Sequence, residues 1–261
     1  MAMKIEVRQS APTLTISVVS HLQLGLIKKL LWDLDKYCRD SHFELILTLN
    51  LHEALSISLN DYFFQIKVIH NAYPQGFGTN HNQAFKHASG QYFCVMNPDI
   101  RLDCNPFERL LSYFTDSSFG VVAPIVLGVN GAVEDSARHF PSPVKILCKV
   151  FGGCRGADYA IADRPVFPDW VGGMCMVFPS AIFKKIGGFD QRYFLYYEDV
   201  DLCGRLMLSD YKVVVCPQAR VIHHAQRSSH RRFKYFLWHL TSMIRFFLSP
   251  VYWRLLSRHW R

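Results

Sequence analysis

The amino-terminal hundred residues alternate apolar, β-branched runs with stretches whose apolar residues recur at helical spacing. The runs 14–20, 43–49, 65–69 and 92–96 predict strands, and 22–37 and 80–87 predict helices. Strands and helices that alternate at these lengths are typical of right-handed βαβ units. The sequence therefore predicts an α/β fold with a Rossmann-like, mostly parallel central sheet flanked by helices.

The rest of the chain continues this pattern less regularly. We predict a helix over 106–114 behind the cap Asn105, strands over 120–126, 170–178 and 211–216, and a short helix over 182–186. Pro217 is expected to end the last strand. The segment 127–168 is rich in proline and glycine and predicts a long surface excursion, where Glu134, Asp135 and Arg138 are secondary candidates for ligand contact.

Polar residues follow several predicted strands. Ser20, Asn50 and the tripeptide Asn97-Pro98-Asp99 each stand just past a strand end. Ligands of parallel sheets bind beyond the carboxyl ends of the strands, so these residues predict one shared site. The Asp99 carboxylate there can hold a divalent cation. An ordinary Asn-Pro-Asp turn is the alternative.

A glycine-containing segment, 75–82, lies between the third strand and the next helix. Gly76 and Gly78 permit backbone close to a ligand, and amides at a helix start favour phosphate. The segment is neither a Walker A loop nor a dinucleotide fingerprint. A simple turn with a helix cap is the alternative interpretation.

The stretch 187–205 holds three acids directly after an aromatic run: Glu198, Asp199 and Asp201. Burial next to such a run raises a carboxylate pKa towards the range of a general base. A helix that begins near Glu198 would also favour acids in its first turn, through its dipole, without any catalytic role.

The spelling of this stretch carries a family resemblance. Gly-Gly-Phe-Asp, followed by Tyr-Phe-x-Tyr-Tyr-Glu-Asp-Val-Asp-Leu, resembles the acceptor-side motif of family 2 inverting glycosyltransferases, in particular the bacterial rhamnosyltransferase-like branch. The resemblance spans about 13–229 and implies the GT-A fold. It implies that Asp199 is the catalytic base, with Glu198 beside it.

The same resemblance assigns roles to the other motifs. It implies that Asn97 and Asp99 stand where the family has Asp-x-Asp, that Asp99 and His223 bind Mg²⁺ or Mn²⁺, and that Gly172 and Gly173 leave room for the donor sugar. The donor-binding residues implied are Ser20, Asn50, Gly76, Gly78, Asn82, Asn97, Asp99, Gly172 and Gly173. The second strand ends without the acid that often holds the base, which leaves the nucleotide open.

The implied reaction moves a sugar from a nucleoside-diphosphate donor, dTDP-rhamnose or a UDP-sugar, to a polysaccharide or lipid-linked glycan. A sugar nucleotidyltransferase is one alternative, although 17–29 lacks the glycine- and basic-rich triphosphate loop which that activity needs. A non-catalytic nucleotide-sugar-binding protein and a nucleic-acid-binding protein are the others. No nucleic-acid-binding signature accompanies the basic residues, so nucleic acid is not the expected partner.

Charge is concentrated at the carboxyl terminus. Residues 220–261 hold nine of the 29 Lys and Arg and no acid, whereas the whole chain carries +8. Apolar residues between Phe233 and Leu248 recur at spacings of three and four. We predict a basic amphipathic helical tail over 226–261 that docks on an anionic membrane surface. Packing of its apolar face on the catalytic body is the alternative.

These patterns divide the chain into a GT-A domain at 1–225, with a nucleotide-sugar-binding half at 13–101 and an acceptor half at 102–225, followed by the tail. No Cys-x-x-Cys pair occurs, and no apolar run reaches the length of a membrane span. With no export signal at the amino terminus, reduced thiols and a cytoplasmic location are expected, peripheral on the inner face of the bacterial cytoplasmic membrane.

Overall fold

The structure is a computed structural model that describes residues 12–150, 153, 156–224 and 233–259. Positions 226–232 and 260–261 of the predicted tail lie outside them. The strands are β1 Leu14–Ser20, β2 Phe43–Leu49, β3 Gln65–His70, β4 Tyr92–Met96, β5 Ile100–Arg101, β6 Phe119–Gly128, β7 Ala137–Arg138, β8 Trp170–Val171, β9 Cys175–Pro179 and β10 Lys212–His223. The helices are α1 Leu24–Tyr37, α2 Phe77–Phe85, α3 Phe107–Ser112, α4 Pro143–Val150, α5 Ser180–Ile186, α6 Glu198–Leu208, α7 Phe233–Phe247 and α8 Pro250–His259.

Eight strands form one sheet in the order β3-β2-β1-β4-β9-β6-β10-β5. The short strands β7 and β8 pair separately. Within the large sheet, β9 runs antiparallel to β4 and β6, and β5 runs antiparallel to β10. The remaining strands are parallel, which confirms the predicted mostly parallel sheet. Its strands bury near-continuous apolar runs because both faces are covered, as in other α/β sheets.

Two strand predictions were wrong at their boundaries. The run predicted as one strand over 170–178 is broken into β8 and β9 by Gly172 and Gly173, whose amides leave the ladder and donate to Ser136 O and Asp199 Oδ2. The last strand does not stop at Pro217 but continues to His223. A register shift between Cys216 and Arg220 takes the proline out of the ladder, as a β-bulge permits.

The two carboxyl-terminal helices pack against the body of the protein. Phe246, Tyr252 and Leu255 are buried in one cluster with Tyr193 and Tyr197. The side chain of Leu255 also lies close to the backbone of α6 at Gly204. The helices α7 and α8 therefore supply part of the core, as the packing alternative expects.

The outer face of α7 nevertheless remains exposed. Its exposed apolar residues are Phe233, Phe236, Leu237, Ile244 and Leu248. Most of the predicted apolar face is therefore turned away from the core, and the inner contacts are made by residues such as Ser242 and Phe246. Over the described residues, no helix is long and apolar enough to span a bilayer.

Candidate active site

The carboxylate pair Glu198 and Asp199 begins α6, as the sequence predicts. Asp199 Oδ1 accepts the Val200 N–H at 2.9 Å, and its Oδ2 accepts the Gly173 N–H at 3.1 Å. Because the strand is interrupted between β8 and β9, the Gly173 N–H can donate to Asp199. Residues Tyr196 and Tyr197 just before the pair have φ of 70° and 67°. Such left-handed backbone costs non-glycine residues about 1–3 kcal/mol each and persists only where packing enforces it.

The two acids of the pair have different surroundings. Burial raises the pKa of both carboxyl groups. For Asp199 the two backbone N–H groups and the positive charge of Arg138 oppose this rise and favour the carboxylate. For Glu198, burial and the charge of Asp199 raise the pKa well above its usual range and outweigh the opposing effect of its own backbone N–H, and its Oε2 is buried without a hydrogen-bond partner. These surroundings favour Asp199 as the member of the pair that ionises first.

The third acid of the stretch has a structural role. The Asp201 carboxylate accepts the Arg205 Nε–H at 2.7 Å, and Arg205 Nη1 also donates to Ile186 O at 2.8 Å. Asp201 is buried, and the guanidinium compensates its charge. Arg205 thus connects α6 to the end of α5, and the Asp201 carboxylate is engaged in this ion pair.

A cavity of about 1070 Å³ opens in front of the pair. Its walls come from residues 196–200, the excursion, the end of β10 and α7. The residues that line it are Arg138, His139, Pro141, Lys145, Ile146, Asp158, Trp170, Tyr196, Tyr197, Glu198, Asp199, Val200, His223, Phe233, Tyr235, Phe236 and His239. Such a volume accommodates a sugar and the group attached to it.

The excursion supplies one wall of this cavity. The Arg138 guanidinium lies 5.6 Å from the centre of the Trp170 ring, and its Nε is 3.0 Å from Asp135 Oδ2. The predicted candidates Arg138 and Asp135 thus form an ion pair, with Arg138 in the cavity wall. Glu134 instead points to the end of β10.

The carboxyl edge of the sheet brings Asp99 and His223 together. His223 Nε2 lies 3.4 Å from Asp99 Oδ2, and His223 Nδ1 lies 2.8 Å from Glu134 Oε2. Burial acts to lower the pKa of His223, but hydrogen bonds to the two carboxylates outweigh it and raise this pKa to about 9. The pairing β5–β10 fixes this arrangement, because it places His223 opposite Ile100, next to Asp99.

These residues fit a divalent cation. Asp99 Oδ1 is buried and has no hydrogen-bond partner in the protein, which leaves this oxygen available to a cation. An aspartate oxygen and one imidazole suit Mn²⁺, which would have to displace the Nε2 proton of His223, and Mg²⁺ takes the carboxylate while keeping most of its waters. Among the described residues no cluster of three or more acidic, His or Cys side chains forms a complete metal site. Substrate phosphate and water would therefore have to complete the ligand set.

Ser20 and Asn50 lie at the same edge and hold its loops. Ser20 Oγ donates to Glu53 Oε2 at 2.7 Å, and Glu53 Oε1 accepts the Leu24 N–H at the start of α1. Asn50 Oδ1 accepts the Gln75 N–H at 2.8 Å, and its Nδ2 donates to Gln75 O at 3.0 Å. The second strand was expected to end at Asn50 without a nearby acid, but Glu53, three residues later, lies at this edge of the sheet. No periodic or motif signal marks it.

Gly76 and Gly78 are explained by packing within the protein. A Cβ at Gly76 would lie 2.6 Å from Phe194 O, and one at Gly78 would lie 2.5 Å from Phe189 Cβ. The space that the sequence interpretation reserves for a ligand beside these two glycines is filled by 189–194. That interpretation was wrong about the reason for the glycines. The helix α2 also starts at Phe77, three residues earlier than predicted, so Gly78 lies inside it.

Asn82 has a structural role too. Its Nδ2 donates to Phe189 O at 2.7 Å, and its Oδ1 accepts the Phe189 N–H at 2.9 Å. Gly188, with φ of 66°, comes so close that a Cβ there would lie 2.3 Å from Asn82 Oδ1. The predicted donor contact by Asn82 is therefore corrected: its amide clamps the turn that leads into the stretch with Glu198 and Asp199.

We expect Asn82→Ala to lower the free energy of unfolding by about 2 kcal/mol or more, because two buried backbone groups of Phe189 lose their partner. Denaturant unfolding measures this loss. Asn130→Ala, in an exposed loop, is the control and should change stability by less than about 0.5 kcal/mol. Wild-type stability combined with weaker nucleotide binding would instead return Asn82 to the donor site.

Comparisons with known proteins agree with this geometry. The family model described as glycosyl transferase family 2 matches residues 25–182. The chain is 28% identical to "Rhamnosyltransferase WbbL" of Escherichia coli K12 over 245 residues, which cover 88% of this chain and 91% of that protein. It is 32% identical to "N-acetylglucosaminyl-diphospho-decaprenol L-rhamnosyltransferase" of Mycobacterium tuberculosis over 149 residues, 52% of this chain and 48% of that protein.

Solved structures share the fold at low identity. Staphylococcus aureus TarS 1-349 in complex with UDP-GlcNAc aligns at a TM-score of 0.65 and 14% identity, over 95% of this chain and 72% of that one. GalNAc-T7 with UDP, GalNAc and Mn²⁺ aligns at 0.64 and 14% identity, over 83% and 44%. The predicted GT-A fold is thereby confirmed. The chain belongs to glycosyl transferase family 2, on its rhamnosyltransferase-like branch.

Proposed function

We propose that this glycosyltransferase, which acts on nucleotide sugars, transfers the sugar with inversion and uses Asp199 as the base. The observation that carries the proposal is the contrast within the carboxylate pair. Two backbone N–H groups favour the ionised form of Asp199 at the wall of the cavity, while burial and the charge of Asp199 raise the pKa of Glu198 well above its usual range.

In this mechanism an acceptor hydroxyl enters the cavity and gives its proton to Asp199. The oxygen attacks the anomeric carbon from the face opposite the nucleoside diphosphate. A new carbon–oxygen bond forms to the acceptor, and the bond from that carbon to the phosphate oxygen breaks. A protonated Glu198 keeps the pair at one negative charge, so that the proton can be received by Asp199.

Asp99 and His223 are proposed to hold Mg²⁺ or Mn²⁺ at the diphosphate. Such an ion supplies positive charge against the charge that develops on the leaving group. The unpartnered Asp99 Oδ1 supports this role, and GalNAc-T7, which shares the fold, was solved with UDP and Mn²⁺. Ser20, Asn50, Asn97, Gly172 and Gly173 would border the donor; of these, Ser20 and Asn50 act by shaping the edge loops. Room for the sugar beside the two glycines requires Met174 and Phe77 to move, because a Cβ at Gly172 would lie 2.8 Å from Met174 Cε and one at Gly173 would lie 3.1 Å from Phe77 Cζ.

We propose dTDP-rhamnose as the donor, with a UDP-sugar as the second choice, and a polysaccharide or lipid-linked glycan as the acceptor. The support is the names of the two relatives, a rhamnosyltransferase and a transferase acting on a diphospho-decaprenol-linked sugar. The identities of 28% and 32% support a donor and an acceptor of the same class and leave the linkage to experiment.

The test is incubation of the purified protein with a panel of nucleotide sugars and a lipid-diphosphate-linked acceptor. We expect release of nucleoside diphosphate from one donor, dependent on the acceptor, with the product anomer inverted by NMR. Formation of pyrophosphate from a sugar phosphate and a nucleoside triphosphate would point to the nucleotidyltransferase alternative. Binding without turnover would support the non-catalytic one.

The domain division at 225 and the location of the enzyme also remain proposals. We propose that the protein is cytoplasmic and peripheral on the inner face of the bacterial membrane, where the exposed face of α7 meets the bilayer. The support is an apolar helix face flanked by Lys234 and Arg245, in a segment without acids.

The membrane proposal predicts that Leu237→Ser combined with Ile244→Ser and Leu248→Ser weakens liposome binding by tenfold or more, since each replacement removes an apolar side chain that would enter the lipid. Flotation with vesicles of graded anionic content measures it. The control is Val129→Ser, which changes an exposed valine just after β6, away from α7 in the sequence. Equal flotation of the triple variant and the wild type, or none by the wild type at moderate salt, would remove the membrane role.

A further inference from the structure

The first turns of α7 form an apolar wall of the catalytic cavity. Phe233, Tyr235 and Phe236 all line it. Phe233 is 74% exposed and Phe236 is 60% exposed, so neither is held by the protein core. Two phenylalanines that border a catalytic cavity and remain this exposed form a surface suited to an apolar ligand rather than to water.

This wall is fixed in place by the inner side of α7. The Trp238 ring lies 4.6 Å from that of Phe194, and Ser242 Oγ donates to Leu195 O at 2.9 Å. The His239 ring packs 5.3 Å from Tyr196 and 5.4 Å from Tyr197. Because these contacts are made to the turn that carries Asp199, the apolar wall has a set position relative to the base.

The charge around the wall also limits the ligand. Of the cations on α7 and α8, Lys234 lies between the lining residues Phe233 and Tyr235, whereas Arg258 is paired with Asp210, and neither Arg245 nor Arg254 lines the cavity. Across the cavity Lys145 is ion-paired with Asp158, and Arg138 with Asp135. A ligand that is apolar at one end and anionic near its middle matches this distribution better than a long neutral glycan does.

We propose that Phe233 and Phe236 form a subsite for the apolar isoprenoid chain of the acceptor, whose sugar hydroxyl reaches Asp199. This inference rests on the proposed transfer to a lipid-linked acceptor. The chain nearest the diphosphate packs on the two rings and then leaves the cavity along the outer face of α7. Ile244 is about 12 Å beyond Phe236 along the helix, at 1.5 Å per residue, so the first isoprene units touch only the beginning of the helix.

The experiment uses water-soluble acceptors without bilayer or detergent. They carry one sugar diphosphate and either a methyl group or a chain of two isoprene units. In the wild type, kcat/KM should be higher for the isoprenoid acceptor by roughly tenfold, the factor that burial of one apolar side chain brings. In the double variant Phe233→Ser, Phe236→Ser this chain preference should be lost. The acyl chains of a bilayer are absent and cannot supply the effect.

The control is the double variant Ile244→Ser, Leu248→Ser. Leu248 is as exposed as Phe233, at 74%, and neither Leu248 nor Ile244 lines the cavity. The control should keep the wild-type chain preference. An equal preference in all three proteins, or its loss in the control as well, would overturn the subsite. If the wild type transferred no sugar even to the methyl acceptor, the proposed function itself would fail, and this subsite with it.

Discussion

Replacing Asp199 with asparagine is expected to lower kcat by about 10²-fold or more while the dissociation constant of the nucleotide-sugar stays near that of the wild type. The reduction is the lower end of what a positioned general base contributes. Donor affinity should survive because the proposed contacts to the diphosphate are made by Asp99, not by the carboxylate pair. Turnover on a genuine acceptor and calorimetric titration with the nucleotide together measure the two quantities.

Glu198→Gln is the matched control for this prediction. Glutamine has nearly the shape of a protonated glutamate and no charge, so a residue that already keeps its proton should tolerate the change. We expect a loss of less than about tenfold in kcat, well below that of Asp199→Asn. The opposite ranking, with Asp199→Asn active and Glu198→Gln inactive, would move the base to Glu198. Circular dichroism must show that both variants are folded, because the side-chain amide introduced by Asp199→Asn would face a backbone N–H.

The same pair sets an expected pH dependence. A base works only when it is deprotonated, and burial raises the pKa of Asp199. Turnover should therefore fall as the pH is lowered, and the midpoint of this fall should lie above the ordinary aspartate pKa of about 3.9. The apparent pKa belongs to the coupled pair. In Glu198→Gln the acid limb should remain, since the titrating member is Asp199; a limb that disappears with Glu198 would contradict the assignment.

The sequence predicts most of this sheet because its strands are continuous apolar runs separated by amphipathic helices. The strands β1, β2 and β4 coincide with their predicted ranges. The prediction was wrong where a local rule competes with tertiary hydrogen bonding. Pro217 is a strand breaker by propensity, yet a bulge keeps it within β10. Gly172 and Gly173 fit a strand pattern, yet their amides are used by Ser136 and Asp199.

The acidic residues of the candidate site could be predicted from the sequence, but the contacts that hold the surrounding turns in place could not. Glu198, Asp199, Asp99 and His223 stand in motifs, and the structure brings Asp99 and His223 within 3.4 Å. The clamp from Asn82 to Phe189 joins residues 107 positions apart, which no local pattern reports. The tail shows a further limit. Helical periodicity identifies an apolar face, but it cannot say whether that face or its opposite meets the core.

Replacing Asp99 with alanine is expected to weaken nucleoside diphosphate binding in the presence of Mn²⁺ by roughly tenfold or more, and to abolish any stimulation by the metal. Charge-assisted contacts at a diphosphate site are strong because each is made with ionised groups in a partly buried setting. Asp99 Oδ1 is a buried carboxylate oxygen without a hydrogen-bond partner, and it lies beside His223. Calorimetry with the nucleotide, with Mn²⁺ and after chelation, measures the effect.

Asp103→Ala is the control, since Asp103 lies four residues beyond Asp99, just after β5, and is exposed to solvent, where it pairs with Arg220 at 2.9 Å. Its loss should leave nucleotide affinity and metal response unchanged. Asp99→Ala also removes one of the two acids beside His223, so the comparison with chelated wild type is the decisive one. If Asp99 acts through the metal, the variant should bind nucleotide with the affinity of the chelated wild type, with or without Mn²⁺. A folded variant that still gained affinity on adding Mn²⁺ would show that the ion binds elsewhere, and the roles given to Asp99 and His223 would then fall together.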